Sequence, residues 1–175
     1  NAEPKTWYVD DSGGADFTRI QDAIYAASAG DTIYVYNGTY NEHISISKSL
    51  TLIGENKYAT IIDGSGWTSE VIGIYRTSRV NITRFTIRNA GYGVLVRYSS
   101  SNTISGNIIS NIGVRGIELY PDSWNNIISG NTISNITGYP ATPGVTGRIA
   151  IYLSRYGNIV KGNIISESEA GIYLA

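Results

Sequence analysis

Asn102–Asn111 reads NTISGNIISN and Asn126–Asn135 reads NIISGNTISN, the same string with two positions exchanged. A third copy, Asn158–Glu167, reads NIVKGNIISE, and a more divergent one, Val80–Asn89, reads VNITRFTIRN. Aligned, Ile82, Ile104, Ile128 and Val160 share one column, and Ile87, Ile109, Ile133 and Ile165 share another. A second element recurs between the copies: Gly93-Val94-Leu95, Gly116-Ile117-Glu118, Ala150-Ile151-Tyr152 and Gly171-Ile172-Tyr173. Each unit of roughly 22 residues thus carries at least two short apolar strands joined by polar turns, the mark of a stacked-repeat architecture.

Like residues in like columns at a fixed period favour parallel coils that pair each with the one before. A sandwich of antiparallel hairpins imposes no such period. Alternation within each strand turns Ile and Val inward and Ser, Thr, Arg and Tyr outward. The expected fold is all-β: a right-handed, single-stranded parallel β-helix in which six or so coils, about 4.8 Å apart, make a rod of roughly 30 Å. Ile, Thr and Tyr suit a pleated, half-buried surface, and Asn and Gly suit the left-handed turns between short strands. The scarcity of charge, 15% of residues, fits that reading, because few positions are left for fully solvated side chains.

The N-terminal third departs from the repeat, as a terminal unit that must cover an open core does. Phe17 to Ala29 has helical spacing, with Phe17, Ile20, Ile24 and Ala27 on one face. Thr18 and Gln21 form a capping-box pattern, and Gly30 supplies the stop. The pattern predicts a short amphipathic capping helix, a first strand from Asp31 to Val35, and a turn at Asn37-Gly38. Residues 1–175 are read as a single domain, with 1–30 as the N-terminal cap and 31–175 as coils. At Gly171–Ala175 a new coil begins and stops uncapped, so either further coils or a neighbouring chain is expected there. The opening Asn1-Ala2-Glu3 carries no initiator methionine, so the expectation is that either a leader has been removed or the stretch was chosen to begin there.

The chain has no cysteine, which excludes disulfides, iron–sulfur clusters and thiol catalysis. Its net charge of −1 offers no basic field for nucleic acid. No apolar run approaches the roughly 20 residues of a membrane-spanning helix, so no membrane insertion is expected.

The run from Trp7 to Gly54, with WYVDDSGGADFTRIQDAIYAASAGDTIYVYNGTYNE and then SLTLIGE, resembles the opening of the right-handed β-helix surface proteins of archaea and some bacteria. These are grouped as NosD-like or pectate-lyase-like. The resemblance extends over essentially the whole chain. It implies an extracellular or cell-surface location and contact with polysaccharide, while the fold itself hosts lyases, hydrolases, esterases, adhesins and stalks. The copper handling that the NosD label implies lacks its ligands here, since Cys and Met are absent and His43 is the single histidine. No cofactor or metal is expected outside a lyase, where calcium would enter.

The Asn107, Asn131, Asn163 column and the Asn89, Asn111, Asn135 column read as structural ladders whose amides pair from coil to coil. Tyr75, Tyr152 and Tyr173 are placed in one outward column with Leu95 and Glu118, and Tyr98, Tyr120 and Tyr156 lie a little further along. Rings at coil spacing either stack on sugars or simply suit an exposed strand. The longest departure from the repeat, Thr137–Arg148 (TGYPATPGVTGR), lies near Arg97, Arg115, Glu118, Tyr120, Asp122, Arg148 and Arg155. That surface is the expected site, with Tyr98, Tyr120, Tyr152, Arg97 and Arg148 as carbohydrate-binding candidates. A catalytic reading would use Glu118, Asp122 and Arg97 or Arg155. Lyases hold calcium with several carboxylates and hydrolases need two carboxyls about 5–10 Å apart, whereas Glu118 is flanked in its column by Leu95 and Tyr152. The sequons at Asn37, Asn81 and Asn135 are candidate glycosylation sites. The expectation is a surface module for glycan binding, adhesion or envelope architecture. The alternatives are a polysaccharide lyase or hydrolase, and a subunit that self-associates through open coil ends.

Overall fold

The structure is a computed structural model describing residues 3–136, 147–154 and 156–175. β1 (Thr6–Val9) is followed by a helix, α1 (Ile20–Ala26), and then by β2 (Thr32–Val35), β3 (Gly38–Tyr40), β4 (Ile44–Ile46) and β5 (Thr51–Gly54). Three long strands alternate with short ones: β6 (Thr60–Tyr75), β7 (Asn81–Thr83), β8 (Thr86–Arg97), β9 (Thr103–Ser105) and β10 (Ile108–Leu119). The chain continues through β11 (Ile127–Ser129), β12 (Thr132–Ser134), β13 (Ile149–Leu153), β14 (Ile159–Lys161), β15 (Ile164–Ile165) and β16 (Ala170–Leu174).

Among the described residues every pairing is parallel, and the strands make a β-solenoid of about 6 turns. One sheet has 7 strands in the order β1-β2-β5-β7-β9-β11-β14. The other, of 9 strands, turns a corner within β6, β8 and β10. The first part of β6 pairs with β3 and its last part with β4, across register shifts between Asp63 and Glu70. β10 repeats the corner between Ile112 and Arg115. Such bulges bend a strand without ending its ladder, so each coil has three sides. The aligned Ile82, Ile104 and Ile128 and the aligned Ile87, Ile109 and Ile133 are fully or almost fully buried, as their columns require.

The asparagine ladders hold the turns. The Asn131 side-chain oxygen accepts the Asn107 backbone N–H at 3.0 Å, and its amide donates to the Ile104 carbonyl at 2.9 Å. Asn163 does the same for Asn131 and Ile128. A second ladder, through Asn102, Asn126 and Asn158, repeats the geometry at the opposite end of the seven-stranded sheet. Both ladders are satisfied through buried amides, which is how a turn can be buried at all. The residue before each rung has positive φ: Gly106, Gly130 and Gly162 in one column, Ser101, Asn125 and Gly157 in the other. Asn89, Asn111 and Asn135 hold positive φ as well and are joined side chain to side chain.

Three expectations about the N-terminal unit are corrected. The first strand precedes the helix: β1, within the stretch read as cap, pairs with β2 in register from Thr6↔Thr32 to Val9↔Val35. It is anchored by Asp31, whose carboxylate accepts the Lys5 N–H at 2.8 Å, the Trp7 indole at 3.0 Å and the Ser28 N–H at 2.8 Å. The helix is shorter than its periodicity, ending at Ala26 because Ala27 is extended (ψ 147). Its N-cap position is Arg19, and no capping box forms. The buried Glu42 carboxylate takes the Ile20 and Gln21 N–H groups instead, at 2.8 and 3.0 Å. A carboxylate suits those donors as well as any N-cap side chain does. Gln21 turns to the strand edge, exchanging two hydrogen bonds with the Ser45 backbone.

Candidate functional site

Strand alternation in β10 places Ile117 and Leu119 in the core and Glu118 on the outer side. Its column runs Gly73, Leu95, Glu118, Tyr152, Tyr173 across five successive coils. Tyr75 was expected in this column and lies two residues beyond it, opposite Arg97. The bulged bend before Val71 shifts the count, and the Tyr75 ring folds back over Gly73, where it would collide with any added Cβ. The ring thus covers the column that its backbone leaves.

The side chains of this face interlock. Arg115 donates to Glu118, and its guanidinium carbon lies 3.9 Å from the centroid of the Tyr152 ring. Tyr152 in turn stacks on Tyr173, with centroids 5.4 Å apart and planes at 10°. Beside them Arg97 lies 4.5 Å from the Tyr120 ring centroid. Tyr75 donates to Glu70, a residue that the repeat did not mark because it falls in the bulged bend. Arg97 Nε and Arg115 Nε are both buried with no hydrogen-bond partner.

Electrostatics follow from burial. Glu118 is only 2% exposed. Burial pushes its carboxyl above the ordinary value, and the nearby Arg115 and Arg97 only partly offset this. Burial would also raise Glu70, but the Ser69 and Tyr75 hydroxyls donate to it and hold it below the usual range. The Tyr92 phenol is raised by burial and then by the Glu118 charge. The face therefore combines two stacked guanidiniums, a paved strip of tyrosine and one carboxyl that resists ionising.

The other expected site residues fall elsewhere. Arg148 pairs with Glu169 at 3.3 Å, and its N–H bonds the same carboxylate. Tyr98 stands on the turn after β8, 5.4 Å from the Arg76 guanidinium carbon. Asp122 is exposed on the turn after β10 with φ 67, beyond the strand that carries Glu118. Arg155 and residues 137–146 of the expected loop lie outside the described residues. Among the described residues no three His, Cys, Asp or Glu side chains come together as a metal site. Glu118 itself is tied to Arg115, so this donor set does not fit calcium. His43 is exposed and bonds the Glu70 carbonyl through Nδ1. Of the sequons, Asn37 is exposed, Asn81 has its side-chain oxygen buried, and the Asn135 amide donates to Asn111.

The profile described as right handed beta helix region matches residues 70–175, and the chain belongs to that family. A cell surface glycoprotein of Methanothermus fervidus is 35% identical over 106 residues, which are 59% of this chain and 17% of that protein. The chain thus spans under a fifth of this curated relative. An alginate lyase from Paenibacillus sp. FPU-7 superposes with a TM-score of 0.70 at 18% identity, covering 93% of this chain and 58% of the lyase. A pectin methylesterase mutant in complex with a hexasaccharide gives a TM-score of 0.61 at 16% identity, covering 96% of this chain and 68% of the enzyme. At these identities the two enzymes share the fold with this chain, and the fold alone.

Proposed function

We propose that this chain is a module of a cell-surface protein that binds glycan on the face built from Arg97, Arg115, Tyr120, Tyr152 and Tyr173. The observation that carries the reading is the continuous stack of Arg115, Tyr152 and Tyr173 beside the Arg97–Tyr120 pair. Flat rings with polar tips suit the apolar faces and hydroxyl edges of sugar rings. The named cell surface relative supports the location, and Asn37 is the sequon best placed to carry glycan of its own. An array of oligosaccharides followed by titration of the best ligand tests this. Tyr173→Ala should weaken binding about two- to tenfold, the range of one aromatic contact, and Arg97→Gln should weaken it further. A blank array, or a Tyr173→Ala, Arg97→Gln double variant that binds like the parent, would reject the reading.

One observation favours catalysis as a second reading: a buried carboxyl with a raised pKa between two arginines is a pattern that active sites also build. Under it Glu118 is the acid and Arg97 or Arg155 the base of a polysaccharide lyase. Release of unsaturated sugars, lost in Arg97→Ala or Arg155→Ala, distinguishes it from simple binding.

A further inference from the structure

Arg76-Thr77-Ser78-Arg79 forms the turn from β6 to β7, next to the end of the strand that carries Tyr75, and the Arg76 N–H bonds the Arg97 carbonyl at 3.1 Å. Arg76 and Arg79 both have left-handed backbones, with φ 50 and 57. Arg79 precedes Val80, whose N–H enters the ladder through Asn102, so its counterparts in later coils are Ser101, Asn125 and Gly157. Asn125 and Gly157 take this conformation readily. The corner imposes the same backbone on Ser101 in this column and on Arg84 elsewhere, so Arg79 bears a conformation glycine would hold more cheaply, and its use is read from what its side chain lines.

Beside the turn lies a shallow, open groove of about 420 Å³, lined by Arg76, Arg79, Tyr98 and the hydroxyl-bearing Ser49, Ser78 and Ser100. It meets a second hollow of about 380 Å³ at Ser49 and Arg79, which runs on to Gly30 and Thr51. No carboxylate lines either one. The Arg76 guanidinium carbon is 5.4 Å from the centroid of Tyr98, which is 53% exposed and leaves ring surface open beside the positive charge.

We infer that this groove is an oxyanion site that takes a sulfate or phosphate group carried on a polysaccharide. Guanidinium forks pair with oxyanions two bonds at a time, and serine hydroxyls donate to the oxygens left over. The lining offers more donors than the two oxygens of a planar carboxylate can accept, whereas a tetrahedral ester presents three. Tyr98 supplies a face for the sugar that bears the ester. The groove extends past the anion position toward Gly30, which suits a chain better than a free ion. None of its residues is among the five assigned to the tyrosine face, but Arg76 and Tyr98 adjoin Tyr75 and Arg97, so Arg76→Gln and Arg97→Gln, each titrated with the same ligands, tell the two sites apart.

Titration of the whole chain with unsubstituted, sulfated, phosphorylated and uronate forms of one oligosaccharide tests the inference. The sulfated or the phosphorylated form should bind about tenfold or more tightly than the unsubstituted one, consistent with charge-assisted bonds. Whichever ester binds identifies the source of the oxyanion. Arg76→Gln and Arg79→Gly should each remove about tenfold or more of that affinity. Arg79→Gly should also raise Tm, because glycine relieves the left-handed backbone, so its loss of binding cannot be put down to unfolding. Arg79→Asn, which follows Asn125 in the same column, provides a second variant. Equal binding of the unsubstituted form, a preference for the uronate, or ester binding untouched in all three variants would overturn the assignment.

Discussion

Glu118 joins site chemistry to stability in one side chain. Because burial raises its pKa, the folded chain holds this proton more tightly than the unfolded chain does. Its ionisation therefore subtracts stability as pH climbs from the unfolded carboxyl value through the raised folded value. Asp31 and Asp63 act with the opposite sign. Asp31 is lowered chiefly by the Lys5 and Ser28 N–H groups; at Asp63 burial opposes the shift, but bonds from Arg88, Ser65 and Asn89 prevail. What these two contribute is present above their unfolded values and is lost as pH falls through the folded ones. Urea unfolding of the parent and Glu118→Gln from acid to neutral pH should show the decline toward neutral pH flattened in the variant. An unchanged decline would assign it to other groups. Glu118 was legible in the sequence because an acid interrupts a column of Leu95 and Tyr152. Tyr75 was misplaced and Glu70 missed because the bulged bend of β6 breaks the period on which column counting relies.

Asn131 shows how a turn becomes an element in its own right. It is fully buried, receives the Asn107 N–H on its oxygen and bonds the Ile104 carbonyl through its amide. Asn131→Ala leaves both backbone groups buried without partners, a loss of about 2–5 kcal/mol. Asn163 makes equivalent bonds in a less buried setting, where water can replace the amide, so Asn163→Ala should lose about 1 kcal/mol. Chemical denaturation of the two variants compares them, and equal losses would mean that the ladder is not what holds the inner turn. The ladders were legible because like amides recur in like columns. The helix cap was not, since Glu42 reaches Ile20 and Gln21 from the far side of β2 and β3, and no local pattern announces a partner at that distance. β1 went unread for a similar reason, as its divergent Thr6–Val9 shows its kinship only once paired with β2.

Parallel coils communicate with their neighbours only, so protection across the molecule should be graded. β8 and β10 are paired on both sides over most of their length, whereas among the described residues β16 pairs only with β13 and leaves Ile172 51% and Leu174 73% exposed. Amide exchange should therefore be slowest in β8 and β10 and fastest in β16. Uniform protection along the chain would contradict a nearest-neighbour stack. The three corners of the coil also differ in how tightly they fix chain length. From Ile82 to Ile87, Ile104 to Ile109, Ile128 to Ile133 and Val160 to Ile165, the corner laddered by Asn107, Asn131 and Asn163 takes the same short step each time. At the bulged corner the step changes from coil to coil: Ile62 to Ile72, Ile87 to Val94 and Ile109 to Ile117. Inheritance sees those two corners differently. A codon gained or lost at the laddered corner dislodges an amide that both neighbouring coils need, while one gained at the bulged corner lengthens a bend and disturbs no rung. Descendants of this gene are thus free to drift in length along one edge of the rod, the edge that borders the Arg115 and Tyr152 face, and there new loops can be tried without risk to the fold.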